Sequence, residues 1–560
     1  TQSINVLNND LNTHIPIQVE LLAVSDHAYF WFDTGPGSTK PTPIRLAEVS
    51  EVFDSIYEIN VDLFGSEDNP GVDGDPRLHV INASPLALCD VTEEDSNQCG
   101  LAGYFDHSNI VPSAVDPSSN AREMFVMNVD YFMSDFYFNV LAHEFRHMIE
   151  NNLDRGEVDW VAEGSAMLAE DLNGYSEVGV RRGNLFLANP DQQLNRWTDG
   201  DAIPYYGQAY LLNKYLYSRL GSDFYRQLAS SPQTGLRAIE TVARENGLDL
   251  SGIDIWLDWL VSLAVHDRDG DPEQFGFGLE GLDTVATTSL DDLPVQLEET
   301  VNQFAADYYR ISGGDTLEVS FEGSMLVPVL GTAAASGDQM WFANRGNLRH
   351  MHLTRFFDLS DVESATLAYS VYHDIEAGFD FAYVFISENG GITWEPLVAP
   401  NMQGVDPADD PSYSALAERF YTGHSNEWRE EEIDLTPYSG KPIMIRMAYV
   451  TDLVHTQGGI AFDNISVPEI GFFDDGERFT EGWNAQGFER VTASIPQTWY
   501  LQLITFHDGK PIVQRLPLTP KNTLAMDIPM GNGTTESILI VSASAPMTLE
   551  PAQYRLTITD

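Results

Sequence analysis

Apolar residues in the first 290 positions form short runs that predict strands and longer periodic segments that predict helices. The runs that predict strands lie at 17–22, 28–32, 77–82 and 123–130. Residues 44–60 and most of the chain from about 136 to 264 show the period of helices. A mixed sheet followed by helices predicts an α+β domain over residues 1–290.

The pattern changes near residue 297, where the helical period ends. Short alternating runs separated by Gly, Pro, Asn and Asp follow, and they predict all-β sandwich domains of a jelly-roll type. We divide this part into strands at 297–338, a module at 339–470 and a C-terminal sandwich at 471–560. If residue 339 begins a complete module, the strands at 297–338 lack partners there, so we expect them to pair with 471–560. The predicted fold class is therefore multidomain.

The helix predicted after residue 135 contains the sequence His143-Glu144-Phe145-Arg146-His147. Residues i and i+4 share one face of a helix, so His143 and His147 can direct two imidazoles at one zinc ion. Glu144 then lies beside that ion, where a carboxylate can take a proton from water. Core histidines and a solvated glutamate are the alternative interpretation.

A polar break at 151–156 separates this helix from a second one, predicted from about residue 157 to residue 172. Two helices joined by a short turn can pack against each other. Such packing brings Glu163, on the second helix, back to the two imidazoles.

The two helices resemble those of the gluzincins, zinc peptidases that carry a His-Glu-x-x-His helix and a glutamate ligand on the next helix. The segment WVAEGSAMLAE at 160–170 is similar to their W-x-x-E-G-x-x-x-x-x-E pattern. The resemblance implies that Glu163 is the third zinc ligand. Glu170, two turns further on, lies on the same face and can bond to a ligand histidine, although a surface carboxylate is equally expected. Met167 stands where thermolysin-type enzymes carry Asp, which favours the aminopeptidase-like or hyicolysin-like branches.

A third helix is predicted to open at 203–210, where two tyrosines precede a glycine. The gluzincin resemblance implies a phenol at this place that stabilises the oxyanion of the tetrahedral intermediate. Tyr206 is the first candidate and Tyr205 the second, and the alternative is that both pack in the core. The resemblance also implies that the strand at 123–130 is the sheet edge that binds an extended substrate. A buried structural strand is the alternative.

Residues 339–467 resemble the β-sandwich module that follows the catalytic domain of immune inhibitor A-type secreted metallopeptidases. The similar segments are TRFFDLSDVESATLAYSVYHDIEAGFDFAYVFISENGGITWEPL, NEWREEEIDLTPYSGKPIMIRMAYVTD and GGIAFDNISV. Similar jelly-roll modules bind calcium, so the resemblance makes Asp463 a calcium candidate, with an Asx turn as the alternative. Two loops rich in Asp and Gly are further calcium candidates, with ordinary Asp-Gly turns as the favoured alternative. Their carboxylates belong to Asp68, Asp73, Asp75, Asp267, Asp269 and Asp271.

The charge balance limits the partners of this chain. Lys and Arg number 29 against 85 Asp and Glu, which gives a formal net charge of -56. A surface of this charge repels nucleic acids and anionic membranes, so neither is an expected partner. It suits calcium binding, a high-salt habitat or the solubility of a secreted protein. No run of the sequence approaches the roughly 18 apolar residues of a membrane span.

The two cysteines, Cys89 and Cys99, are close together in a polar loop. We predict a disulfide between them, with two free thiols as the alternative. A disulfide indicates an oxidising compartment and hence an exported protein.

These features predict a secreted zinc metallopeptidase that cleaves polypeptides, with a monomer as the default state. An endopeptidase is weakly favoured over an aminopeptidase, because no acidic group that would hold a substrate amine stands out. The competing hypothesis is a surface-binding or adhesion protein whose peptidase domain is a relic. The large β portion favours that hypothesis, and the full set of zinc ligands and base argues against it.

Overall fold

The computed structural model describes residues 1–11, 13–197, 201–267, 275–290, 292–312, 316–343, 345–404, 416–452, 455–478, 481–507, 509–530 and 536–559. The chain forms two compact units. The first comprises Thr1–Ala188 and Ile203–Val285, and the second comprises Asn189–Ala202 and Ala286–Asp560. The expectation of a multidomain protein with a mixed α+β part followed by an all-β part is confirmed.

A six-stranded sheet forms the centre of the first unit, in the order β1-β2-β3-β4-β6-β5. Its strands are β1 (Gln2–Asn8), β2 (Thr13–Val24), β3 (Ala28–Asp33), β4 (Leu78–Ala83), β5 (Gly103–Phe105) and β6 (Met124–Asn128). Strands β3, β4 and β6 run parallel, while β1, β2 and β5 pair antiparallel with their neighbours. Every residue of β4 and β6 is buried, as expected for parallel strands that are covered on both faces.

Eight α-helices accompany this sheet in the described part of the first unit. They are α1 (Pro43–Phe64), α2 (Pro85–Leu88), α3 (Asp135–Leu153), α4 (Asp159–Leu172), α5 (Ser176–Leu187), α6 (Ile203–Leu228), α7 (Gly235–Glu245) and α8 (Gly252–Val265). Ser134 caps α3, because its side chain accepts a hydrogen bond from the Tyr137 N–H at 3.1 Å. Helix α6 is broken at Gly221, which has φ of 84°. None of the described helices combines the length and the apolar character that crossing a bilayer requires.

Strand β6, which precedes α3, is not the edge of the sheet, so the expectation of a substrate-binding edge there is wrong, and the strand is a buried one as in the alternative. Strand β6 lies between β4 and β5, and β5 ends the sheet order. The chain after Cys99 turns back and pairs antiparallel with β6, where Gly103 faces Met127. The Asn128 side chain fixes this turn by donating to the Leu101 carbonyl at 2.9 Å. Strand β5 therefore forms the edge of the described sheet on this side, and β1 forms the opposite one.

Apart from two short 3-10 helices at Thr436–Tyr438 and Pro468–Ile470, the regular structure of the second unit in its described part consists of strands. These are β7 (Thr288–Leu290), β8 (Val295–Val301), β9 (Ala305–Ile311), β10 (Thr316–Gly323), β11 (Leu326–Pro328), β12 (Gln339–Ala343), β13 (His350–Asp358), β14 (Thr366–Asp374), β15 (Phe381–Ser387), β16 (Glu395–Leu397), β17 (Gln403–Gly404), β18 (Arg419–Phe420), β19 (Arg429–Asp434), β20 (Pro442–Val450), β21 (Gly459–Val467), β22 (Phe472–Asp474), β23 (Trp483–Gln486), β24 (Phe488–Thr492), β25 (Ser494–Pro496), β26 (Thr498–His507), β27 (Lys510–Leu516), β28 (Thr523–Pro529), β29 (Ser537–Ser544) and β30 (Ala552–Thr559).

Two sheets of the second unit enclose the core of a middle module. One has the order β19-β14-β21-β12-β24 and the other the order β16-β15-β20-β13-β23. Their inward side chains, such as Leu353, Tyr369 and Phe462, form one buried cluster. This arrangement is a β-sandwich.

The ends of the second unit share a sheet, in the order β28-β10-β30-β8. Strand β10 pairs on one side with β28 and on the other with β30. The chain thus begins this sheet before the middle module and completes it afterwards.

The predicted boundary at residue 471 is placed too early. Strands β22 and β24 pair with β21 and β12, and β23 pairs with β13, all within the middle module. The reason is apolar packing, because Phe472, Trp483 and Phe488 lie in or against the core of that module.

Candidate metal and catalytic site

The two histidines of α3 lie one turn apart and face the same point. Their Nε2 atoms are 3.1 Å apart, and the ring planes are inclined by 78°. The opposite side of α3 is anchored in the core by Tyr137, Leu141 and Phe145, each fully buried. This anchoring fixes the rotation of α3 about its axis, so His143 and His147 stay directed at the same point.

Glu163, on α4, completes a group of three ligand atoms. Its Oε2 lies 3.3 Å from Nε2 of His143 and 3.6 Å from Nε2 of His147. This oxygen is buried and makes no hydrogen bond in the described part of the chain. Two ligands of one tetrahedral zinc ion, with bonds of about 2.0–2.1 Å, lie roughly 3.3 Å apart. The three observed separations therefore fit a shared zinc ion.

A close contact between α4 and α6 sets the position of Glu163. A Cβ on Gly164 would lie 2.1 Å from Asn213 Nδ2 and 2.4 Å from the Ala209 carbonyl oxygen. Asn213 donates to the Trp160 carbonyl at 2.9 Å and accepts from the Tyr225 hydroxyl at 2.6 Å. Gly164 thus permits the close approach of α4 to α6, and the buried side-chain amide of Asn213 fixes it.

We expect Gly164→Ala to lower the free energy of unfolding of the first unit by about 2 kcal/mol, because the added methyl group overpacks this contact. Circular dichroism at the helix band measures this, since all the described α-helices belong to the first unit. Gly156→Ala is the matched control, because its Cβ would meet only Asp154 Oδ1, at 3.8 Å. Equal stability of the Gly164 variant and the control would contradict the packing argument.

Glu170 orients His143 from the side opposite to Glu163. Its Oε1 lies 2.8 Å from Nδ1 of His143, and its Oε2 accepts from Asn139 Nδ2 at 2.5 Å. The residue is 3% exposed. A proton on Nδ1 leaves the Nε2 lone pair for a metal, which is the role of carboxylates behind metal-binding histidines.

The charges of the histidines and glutamates in this site shift each other's pKa values. Burial alone would lower the pKa of His143, but Glu163 and Glu170 raise it to about 10. Burial alone would raise the pKa of Glu163, but His147 and His143 hold it well below its usual value. The carboxylates therefore favour a cation at the point where the imidazoles meet.

Glu144 occupies the space between α3 and the sheet edge. Its Oε2 accepts a hydrogen bond from the Phe105 N–H of β5 at 2.8 Å, and the residue is 9% exposed. That N–H points to Glu144, so the free edge of β5 faces the site. The arrangement puts a carboxylate beside both the ligand helix and an open strand edge.

Tyr206 approaches the site from the start of α6. Its ring centroid is 6.5 Å from that of His143. The negative charge of Glu163, followed by burial, raises the pKa of Tyr206, so the phenol keeps its proton at neutral pH. Tyr205 lies next to it and is half-buried. The structure thus places Tyr206, the first candidate, beside the ligand group.

The predicted calcium loops do not form carboxylate clusters in the described ranges. Asp73 lies 3.3 Å from His79 Nε2, and Asp75 accepts from the Tyr29 hydroxyl at 2.9 Å. Asp68 and Asp267 are exposed, and Asp269 and Asp271 lie outside the described residues.

Asp463 lies within strand β21 of the middle module, and its side chain binds backbone N–H groups. Its carboxylate accepts from the Ser336 N–H at 2.9 Å and from the Asn464 N–H at 2.7 Å. Burial raises the pKa of Asp463 to about 6. An Asx turn needs a bond to the N–H two residues on, so these contacts of a strand residue differ from the Asx-turn alternative.

A second acidic group, absent from the sequence analysis, lies in the middle module. Glu376, Asp380 and Asp452 place carboxylate oxygens within 4.8 Å of one another. Asp380 accepts from the Tyr449 hydroxyl at 2.9 Å and from the Asp452 N–H at 3.1 Å. The spacing of Glu376 and Asp380 in one loop was the available signal. Asp452 joins them only through the pairing of β15 with β20.

Cys89 and Cys99 form a disulfide, with Cα atoms 5.6 Å apart. Both residues are 3% exposed and pack with Leu88 and Val126 in a core cluster of the first unit. The disulfide therefore closes the loop that leads into β5.

Comparison with known proteins relates the β module to a defined family. Residues 315–493 match the immune inhibitor A-like MAM domain. The pre-pro-metalloprotease PrtV of Vibrio cholerae serotype O1 is 26% identical over 168 residues, which are 29% of this chain and 17% of PrtV. Immune inhibitor A of Bacillus thuringiensis subsp. alesti is 26% identical over 148 residues, which are 26% of this chain and 20% of that protein.

Among solved structures, infectious bursal disease virus (Gx strain) has a TM-score of 0.12 and 8% identity, covering 45% of this chain and 39% of the viral chain. A TM-score this low supports no argument. The aligned part of this chain spans about a fifth or less of the two curated relatives. The matched module at 315–493 lies outside the segment 143–170 that carries the candidate site.

Proposed function

We propose that this chain is a zinc-dependent peptidase whose ion is held by His143, His147 and Glu163. The convergence of their three ligand atoms within 4.8 Å of one another is the observation that carries the proposal. The hydrogen bond that Glu170 accepts from His143 and the buried Glu163 oxygen support it. The similarity of the β module to immune inhibitor A, and to part of a protein named a metalloprotease, is consistent with it. Assignment to a gluzincin branch, hyicolysin-like or aminopeptidase-like, stays a prediction.

The chemistry is hydrolysis of an amide bond. A bound zinc ion supplies Lewis acidity, which activates a water molecule and polarises the scissile carbonyl. Glu144 accepts the proton that the water loses as its oxygen bonds to the carbonyl carbon. When the carbon–nitrogen bond breaks, Glu144 delivers this proton to the leaving amine. Tyr206 donates a hydrogen bond to the oxyanion between these two steps.

The substrate in this proposal is a polypeptide that lies along β5. In the described sheet, β5 pairs only with β6. On the opposite edge of β5, the Phe105 N–H donates a hydrogen bond to Glu144. An extended peptide can add to such an edge through main-chain hydrogen bonds. A strand edge accepts residues on both sides of the scissile bond, so an endopeptidase is preferred to an aminopeptidase. The disulfide supports an extracellular location.

Metal removal tests the proposal directly. The purified chain should bind about one zinc per molecule and hydrolyse an unstructured protein such as casein. Dialysis against a chelator should abolish hydrolysis, because the three ligands alone do not activate water. Zinc chloride should restore it, and calcium chloride alone should not. Mapping of the cut sites would separate an endopeptidase from an aminopeptidase.

Two outcomes would contradict the proposal. Full hydrolysis after complete removal of the metal would exclude a zinc mechanism. No hydrolysis by a zinc-loaded chain, tested on several unfolded proteins, would favour the adhesion protein with a relic peptidase domain.

A further inference from the structure

Arg182, on α5, lies against the tyrosine of the candidate site. Its guanidinium carbon is 4.6 Å from the centroid of the Tyr206 ring. Nη1 of the same side chain is 3.7 Å from the Met167 sulfur. Arg182 is half-buried, and no carboxylate of the described residues forms an ion pair with it. In a chain with 29 basic and 85 acidic residues, Arg182 thus contacts an aromatic ring and a thioether.

Close packing of α5 against α6 fixes this arginine in position. A Cβ on Gly207 would lie 2.1 Å from the Arg182 carbonyl oxygen. A Cβ on Gly179 would lie 2.8 Å from the Tyr210 ring, and one on Gly183 would lie 3.3 Å from Leu211. Glycines at these three points let the two backbones approach closely and set the register of the helices. That register puts Arg182 beside Tyr206.

The charged groups around Tyr206 shift its pKa in opposite directions. The negative charges of Glu163, Glu144 and Glu170 raise the pKa of the phenol, and the positive charge of Arg182 lowers it. A phenol surrounded by carboxylates is a weaker hydrogen-bond donor to a developing oxyanion. A guanidinium on the ring face offsets this, because a cation over an aromatic ring is attracted to it and also favours negative charge nearby.

We propose that Arg182 is a positioning residue that acts through Tyr206: it holds the phenol ring in place and counteracts the carboxylates around it. The inference rests on the proposed peptidase function. Because the oxyanion exists only after water has attacked, the effect of Arg182 falls on kcat and leaves substrate binding nearly unchanged.

A double-mutant cycle tests this proposal on the zinc-loaded chain with a peptide substrate. Arg182→Gln should lower kcat about tenfold and change KM less than about twofold. Arg182→Lys, which keeps the charge, should recover about half of that loss on a logarithmic scale. In the Tyr206→Phe background, Arg182→Gln should lower kcat by less than about twofold, because the phenol through which Arg182 acts has been removed. Arg181→Gln, at the exposed neighbouring arginine, is the matched control and should leave kcat and KM unchanged.

A second measurement needs no turnover. In the chelator-treated chain labelled with carbon-13 at tyrosine Cζ, the signal that Tyr206→Phe removes should shift in Arg182→Gln. The signal should move back toward its wild-type position in Arg182→Lys and stay unchanged in Arg181→Gln. An unshifted signal in Arg182→Gln would overturn the proposal.

The kinetic result that would overturn it is an equal tenfold loss in the wild-type and Tyr206→Phe backgrounds, or a loss confined to KM. A wild-type chain that hydrolyses no peptide would instead contradict the proposed function. In that case the carbon-13 signals would still decide whether Arg182 acts on Tyr206.

Discussion

Replacing Glu144 with Gln should lower kcat/KM for peptide hydrolysis by about 10³- to 10⁴-fold, which is the range for loss of a general acid–base group. The amide cannot take the water proton, but it has the shape of the carboxylate. Its oxygen can still accept the hydrogen bond from the Phe105 N–H that Glu144 accepts at 2.8 Å. Fold and zinc content should therefore stay unchanged. Steady-state kinetics, combined with metal analysis of the same samples, measures both quantities.

The control for this variant is Glu177→Gln, which removes an exposed carboxylate from α5. It should have wild-type kinetics, because surface substitutions of this kind have small effects. Hydrolysis by Glu144→Gln at a rate close to that of the control would contradict the role of Glu144 as base. A large loss accompanied by loss of zinc would show that the carboxylate supports the site and would leave its role in proton transfer unsupported.

The parts of the site that follow the helical period could be predicted from the sequence. His143 and His147 share a face of α3 because they are four residues apart. Glu163 and Glu170 are two turns apart on α4, so both can reach the same imidazole from opposite sides. In each case a local repeat decides which residues share a face.

The parts that depend on distant partners could not be predicted. Strand β5 forms the sheet edge because residues 103–105 turn back onto β6, which no pattern in three residues indicates. Arg182 and Tyr206 meet because glycines on two helices permit a close approach. Strands β23 and β24 join the middle module through pairing with β13 and β12, which lie more than a hundred residues earlier in the chain. Apolar alternation predicts that a strand exists but not which strand it pairs with.

Acidic residues in sequences typical of turns differ in their contacts from the acidic residue of the candidate metal site. Asp68, Asp73, Asp75 and Asp463 occur in sequences typical of turns, and the described contacts of the last three are hydrogen bonds or an ion pair within the protein. Glu163 differs, because its buried oxygen faces two imidazole nitrogens and makes no hydrogen bond in the described structure. A surplus of carboxylates in the sequence therefore says little about metal binding, whereas their burial opposite nitrogen ligands says much more.

Replacing Glu163 with Gln should weaken zinc binding by more than about 10³-fold, because it removes one of three protein ligands and the charge that offsets the ion. The amide keeps the volume of the carboxylate, so α4 should stay packed on α6. Competition with a chromophoric chelator measures the affinity, and elemental analysis after dialysis measures the retained zinc. Hydrolysis should be lost in proportion to the zinc.

Glu170→Gln is the matched comparison for this effect, because it alters a carboxylate of the same helix that touches His143 only through Nδ1, at 2.8 Å. Loss of such support typically weakens metal binding about 10- to 100-fold, so zinc should still bind at micromolar excess. The order of affinities should therefore be wild type, then Glu170→Gln, then Glu163→Gln. If Glu163→Gln bound zinc as tightly as Glu170→Gln, Glu163 would be a supporting residue, and the third ligand would have to be sought elsewhere in the chain.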